Sequence, residues 1–192
     1  TAIENLVGSG FADTLTGDGG ANSLDGGLGN DILIGGAGGD VLIGGSGTDI
    51  ASYANAASGL TASLANAAGN SGDAAGDSYS SIEGLIGSAF ADILTGDSGA
   101  NSIDGGNGDD TLIGGGGADA LNGGSGVDTA DYSASASGVT VYMDGTVGVG
   151  GDAAGDTLSS IEVVIGSASA DTLIGDSGAN TLNGGNGDDT LI

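Results

Sequence analysis

The stretch GGLGNDILIGGAGGDVLIGG, residues 26–45, sets an aspartate and a short aliphatic run at fixed offsets inside glycine, then does so again nine residues later. Stepping by nine from Gly8 gives GSGFADTLT, GDGGANSLD, GGLGNDILI, GGAGGDVLI and GGSGTDIAS, in register without a gap to Ser52. A second block of five covers residues 87–131, and a third, starting at Gly166, holds three nonapeptides to Ile192. Block starts at 8, 87 and 166 define a longer period of 79 residues, 45 of nonapeptide and 34 of spacer. Repeats on this scale bury their apolar faces against their neighbours in an array. The expectation is therefore one continuous solenoid over residues 1–192, with the spacers 53–86 and 132–165 coiling on the same axis.

Composition narrows the partners. The 192 residues include 45 glycines and 26 acidic side chains but no proline, cysteine, lysine, arginine or histidine, for a formal charge of -26. No intramolecular salt bridge between side chains can form, so self-repulsion opposes compaction unless cations from solvent relieve it. A metal ion is the obvious partner. Phosphate neutralisation needs Lys or Arg, which excludes nucleic acid, and an anionic membrane repels the chain likewise. High charge with few aromatics reads as disorder for the metal-free chain, although the regular aliphatic spacing argues for a fold once metal is present. No apolar run is long enough to span a membrane, and no signal-peptide pattern is present. Thr1 is not an initiator and the chain stops inside a repeat, so the sequence reads as part of something longer.

The nonapeptide has a physical logic. Glycine at positions 1, 2 and 4 allows positive φ angles and thus a tight turn that exposes carbonyls. Aspartate at position 6 adds a carboxylate to those carbonyls, and numerous flexible oxygen ligands suit calcium. Positions 7–9 form a short strand whose alternation turns position 8 inward. That position carries Leu15, Leu24, Leu33 and Leu42, then Leu94, Ile103, Leu112 and Leu121, shrinking to Ala51 and Ala130 at the block ends. One layer of leucines is thin cover for ordering so many glycines.

GGLGNDILI, GGAGGDVLI and GGNGDDTLI match every fixed position of G-G-x-G-x-D-x-U-x, so the chain resembles the RTX (hemolysin-type) calcium-binding repeat proteins. The resemblance implies an all-β fold: a right-handed parallel β-roll in which two nonapeptides make one coil and calcium sits between turns 18 residues apart. It pairs Asp13 with Asp31, Asn22 with Asp40, Asp31 with Asp49, Asp92 with Asp110, Asn101 with Asp119, Asp110 with Asp128 and Asp171 with Asp189. Asn180 is the one sixth-position residue of the thirteen left without a partner in this scheme. Seven calcium ions would bring the formal charge from -26 to about -12.

Some turns depart from the pattern. Where position 6 is Asn22, Asn101 or Asn180, position 2 is Asp18, Asp97 or Asp176, which can supply the displaced charge to an additional site. Phe11, Phe90 and Ser169 replace the fourth-position glycine and weaken the pairs starting at Asp13, Asp92 and Asp171. In the spacers, Leu60, Ala62 and Leu64 match Val139, Val141 and Met143 on one face, so a shared strand is expected despite the alanine-rich, helix-favouring first copy. Worn turns follow, with further candidate ion ligands at Asp73 and Asp77, and at Asp152 and Asp156.

No catalytic residues are expected. Without His, Cys or Lys there is no ordinary base, thiol or amine nucleophile. The glutamates Glu4, Glu83 and Glu162 recur as an Ile-Glu pair before each block, which suits a capping, strand or metal role. The glycine-rich loops lead into strands and carry carboxylates where a phosphate cradle carries lysine. Outward aliphatics at Ile32, Ile34, Val41 and Ile43 offer a stripe for association with another copy of the chain. The expected function is a calcium-binding structural region of a secreted or cell-surface protein, folding outside the cell into a stiff rod such as a filament, surface layer or adhesin stalk. The competing readings are a calcium-dependent export and folding module beside a secreted enzyme, and a ligand- or ice-binding face.

Overall fold

A computed structural model describes residues 4–192. Among them are twenty strands, nearly all of three or six residues, and three short 3-10 turns, with no α-helix. No helix there is long and apolar enough to cross a membrane. All strand pairs are parallel, and within a block they join residues 18 apart, as in Leu15 with Leu33, Leu24 with Leu42 and Ile103 with Leu121. Successive nonapeptides go to different sheets: Thr14–Thr16 and Ile32–Ile34 pair with each other, while Ser23–Leu28 between them pairs with Val41–Ser46. Two nonapeptides therefore make one coil. The architecture is a parallel β-roll.

Position 8 fills its interior. Leu24, Leu33, Leu94 and Leu112 are completely buried, and Ala51 and Ala130 carry the same row into the spacers. Full burial of such a leucine contributes roughly 1.5–3 kcal/mol, so the row is the main apolar support of the fold. The aliphatics expected outside are less exposed than strand alternation suggests: Ile32, Ile34 and Ile43 are half-buried and only Val41 is open to solvent.

Each spacer contains the expected strand, Thr61–Ser63 or Thr140–Tyr142, with Leu60, Ala62, Val139, Val141 and Met143 buried. The only helical turn in the alanine-rich first copy, residues 54–69, is the 3-10 turn Ala67–Gly69. The order of pairing is unusual. Thr61–Ser63 pairs forward with Ile93–Thr95, and the chain then doubles back to lay Ser78–Ser80 beside Val41–Ser46 and Gly84–Ile86 beside Ile50–Ser52. Thr140–Tyr142 likewise pairs forward with Thr172–Ile174 before Thr157–Ser159 returns to Ala120–Ser125.

One sheet ends at each spacer and the other runs through. The seven-stranded sheet starts with Thr14–Thr16, passes the first spacer and ends at Thr157–Ser159 in the second; the six-stranded sheet starts at Thr61–Ser63 in the first and passes the second. The spacers thus interrupt the sheets alternately.

Candidate metal centre

Position 6 stands where the glycine turn enters the strand, so its side chain lies against the matching turn of the next coil. In all seven expected pairs the backbone amide of the first residue donates to Oδ1 of the second: Asp13 to Asp31, Asn22 to Asp40, Asp31 to Asp49, Asp92 to Asp110 and Asn101 to Asp119 at 2.8 Å, Asp110 to Asp128 at 2.9 Å and Asp171 to Asp189 at 3.0 Å. The ladder continues into the spacers, where the amides of Asp40 and Asp119 donate to Asp77 and Asp156 at 2.8 Å. The amides of Leu60 and Val139 close it onto Asp92 and Asp171, again at 2.8 Å. One oxygen of each of these carboxylates is thereby held by main chain.

The second oxygen has three fates. In the Gly-Gly turns, Oδ2 of Asp31, Asp40, Asp49, Asp110, Asp119 and Asp128 is buried and has no hydrogen-bond partner. These residues are at most 1% exposed, so bulk solvent does not reach them. Burying an unpaired carboxylate oxygen is costly, and the chain has no basic side chain to offset it.

Elsewhere the protein supplies a donor. Where position 2 is serine, its amide donates to Oδ2 of its own turn: Ser9 to Asp13 at 2.5 Å, Ser88 to Asp92 at 2.6 Å and Ser167 to Asp171 at 2.7 Å. The hydroxyls of Ser88 and Ser167 add bonds to Oδ1 at 3.0 and 2.8 Å. Where position 2 is aspartate, the amides of Asp18, Asp97 and Asp176 donate to Oδ1 of Asn22, Asn101 and Asn180 at 2.8, 2.8 and 2.9 Å. Oδ1 of those aspartates in turn accepts from Gly20, Gly99 and Gly178. In the spacers a tyrosine does the work: the hydroxyls of Tyr53 and Tyr132 donate to Oδ2 of Asp77 at 2.6 Å and Asp156 at 3.0 Å. Tyr53 also meets the Tyr79 hydroxyl, to which Asn70 donates at 3.1 Å; Leu158 stands where the second copy would need Tyr79. Asp73 and Asp152 lie half-buried in the adjoining 3-10 turns.

Glycine at position 1 has a different role from the one expected. Positions 2 and 4 do take positive φ, 95° at Gly27 and 126° at Gly29, but Gly26 does not. A Cβ on Gly26 would instead run into the Asp31 carboxylate and the Gly44 carbonyl of the next coil. Carboxylate and carbonyl oxygens thus converge on a place that only glycine leaves open.

Burial is the main reason that Asp77, Asp110 and Asp119 are raised from 3.8 to about 6, with neighbouring carboxylates adding to it. Asp40, Asp49, Asp128 and Asp156 are pushed upward for the same first cause. Among the described residues no three or more acidic side chains gather as a metal cluster. Any ion here would take main-chain carbonyls alongside one or two carboxylates, a donor set that suits calcium. Two further carboxylates belong to the ladder: Oε2 of Glu83 and of Glu162 accepts the amide of Asp49 or Asp128 at 2.9 Å. Their recurring Ile-Glu pair was the signal, but it did not say which turn they would meet.

Parallel coils in which six of the seven Gly-Gly turns present a buried, unanswered carboxylate oxygen beside carbonyls define a calcium-binding β-roll. The chain belongs to the RTX family: the model described as the RTX calcium-binding nonapeptide repeat (4 copies) matches residues 1–33, 26–52, 85–112, 95–130 and 156–191, more than half of the chain. No curated protein matches it.

Proposed function

We propose that the ions sit at the Gly-Gly turns of Asp31, Asp40, Asp49, Asp110, Asp119 and Asp128, with Asp189 a more open member of the set, and that their binding drives folding. The observation that carries this reading is six buried carboxylate oxygens without a donor in a chain without a basic side chain. The turns at Asp13, Asp92 and Asp171 and those at Asn22, Asn101 and Asn180 close on their own amides and depend less on metal. The spacer aspartates are held by tyrosine.

Extracellular calcium modules bind at roughly 10⁻⁴ to 10⁻³ M, so such a chain stays unfolded in a low-calcium cytosol and folds after export. Binding and folding free energy are then one quantity. Since one sheet crosses each spacer unbroken, the blocks and spacers stack as a single stiff rod, which suits a structural part of a secreted or surface protein.

Small-angle X-ray scattering in chelator and in calcium tests this. The expected result is an expanded coil that becomes, with calcium and not with magnesium, a thin particle of uniform cross-section. Compact blocks joined by flexible segments in calcium would contradict the rod.

A further inference from the structure

Asp49 and Asp128 end their blocks, and the nonapeptide frame offers no aspartate on the next coil to follow them. Both are nevertheless completely buried with an unpartnered Oδ2, as in the middle of the block. The segment that lies against them is Ser80-Ser81-Ile82-Glu83, or its copy Ser159-Ser160-Ile161-Glu162.

This segment reproduces the oxygens of a Gly-Gly turn by another route. Glu83 accepts the Asp49 amide, and Glu162 the Asp128 amide, both at 2.9 Å, so a side chain one methylene longer takes the place of a next-coil aspartate. The carbonyl of Ser81 crowds Gly44 together with the Asp49 carboxylate, as the carbonyl of Gly44 crowds Gly26 together with Asp31. Ser160 repeats this at Gly123 and Asp128. In a nonapeptide the carbonyl-bearing glycine and the aspartate are five residues apart, Gly44 to Asp49, whereas Ser81 and Glu83 are two apart. To shorten the turn, Ser81 and Ser160 take φ of 52° and 50°, and they are the only non-glycine residues described with positive φ. L residues adopt that region rarely, and backbone held there commonly marks a functional constraint.

We propose that the calcium sites at the Asp49 and Asp128 turns are completed from outside the nonapeptide, the first by the Ser81 carbonyl and Glu83 and the second by the Ser160 carbonyl and Glu162, each closing the ion row of its block. The proposal rests on the reading of the Gly-Gly turns as calcium turns. It gives the buried Asp49 and Asp128 oxygens a partner and gives the cation a second carboxylate, together with a carbonyl.

Glu83→Gln with Glu162→Gln keeps an acceptor for each amide and removes the charge. Calorimetric titration of the full chain with calcium should count two fewer ions than in the unaltered chain, with the remaining sites unchanged in affinity. An unchanged count would overturn the proposal. Because the variant can fail to fold, the unaltered chain crystallised with calcium provides a second reading by anomalous scattering. A peak between the Ser81 carbonyl and the Asp49 carboxylate is expected; peaks at the Asp31 and Asp110 turns with none there would overturn the proposal, and no peak at any turn would overturn the calcium-turn reading with it.

Discussion

Asp31, inside a nonapeptide block, and Asp77, in the first spacer, occupy equivalent places on the carboxylate ladder and differ in a single partner. Each is buried, and each holds a preceding amide on Oδ1 at 2.8 Å. Oδ2 of Asp77 is met by the Tyr53 hydroxyl, whereas Oδ2 of Asp31 meets nothing in the chain. The contrast separates two jobs that the repeat combines. Holding coils in register needs one carboxylate oxygen and an amide, while the other oxygen is left for whatever neutralises it. In the proposed reading that task falls, at the Gly-Gly turns, to an ion from solvent; at Asp77 and Asp156 a tyrosine hydroxyl performs it. The spacer turns at Asp77 and Asp156 are then less dependent on calcium than the Gly-Gly turns of the blocks.

The largest effect should come from removing a block carboxylate. Asp31→Ala deletes the acceptor of the Asp13 amide and an oxygen donor together, and disrupting a buried, paired charge costs about 3 kcal/mol or more. Asp31→Ala and Asp110→Ala should each raise the calcium midpoint of folding steeply and lower the ion count, while Asp73→Ala should do neither. Equal losses from all three, measured by calorimetric titration, would break the distinction between block and spacer.

The tyrosine is tested next. Tyr53→Phe leaves a buried carboxylate oxygen without its donor, for a loss of roughly 1–3 kcal/mol. Thermal unfolding at saturating calcium should show that loss, and Tyr132→Phe should match it at the second spacer. A Tyr53→Phe chain as stable as the original would mean that Asp77 is neutralised by other means.

Protons offer a third test. The folded values near 6 of Asp77, Asp110 and Asp119 lie above the ordinary 3.8, so the folded metal-free chain binds protons more tightly than the unfolded one. Their contribution to stability is fully present below about pH 4 and is lost as pH rises through about 6. In chelator the chain should therefore gain β structure between pH 7.5 and 4, and calcium affinity should fall over the same interval as protons compete. A metal-free spectrum unchanged across that range would contradict the burial described for these groups.

The smallest effect sharpens the comparison within the blocks. Ser88→Gly removes the hydroxyl that binds Asp92 and permits the positive φ seen at Gly106 and Gly115. Ser88 is buried, and losing the hydrogen bond of its hydroxyl to Asp92 should cost roughly 1 kcal/mol of stability. Calcium affinity at the Asp92 turn should rise, and terbium luminescence can follow it.

Much of this was legible in the residues. The leucine row from Leu24 to Leu42 follows from a strict nine-residue spacing and strand alternation, while the two-nonapeptide coil and the partner of every paired sixth-position residue follow from the resemblance to the RTX repeat. What escaped depends on relations that spacing does not encode. Thr61–Ser63 pairs forward with Ile93–Thr95 because the spacer doubles back, and no period announces such a return. Tyr53 reaches Asp77 across 24 residues; its recurrence as Tyr132 one period later was visible, but no spacing named its partner. Glycine at position 1 looked like a torsional requirement; it is a steric one, since the room it leaves lies between coils. Glu83 was visible as a recurrence, but its partner depends on a turn shortened by Ser81, whose backbone conformation is unusual for serine.

The central claim is that calcium answers the carboxylates that the chain leaves unanswered, and that the blocks fold for that reason. A far-ultraviolet circular dichroism titration of the metal-free chain at neutral pH, with calcium and with magnesium in parallel, tests it most directly. The account predicts a cooperative coil-to-β transition in calcium that magnesium does not reproduce. A full β spectrum under strong chelation would contradict it, because the leucine row and the amide ladder would then suffice without the ion.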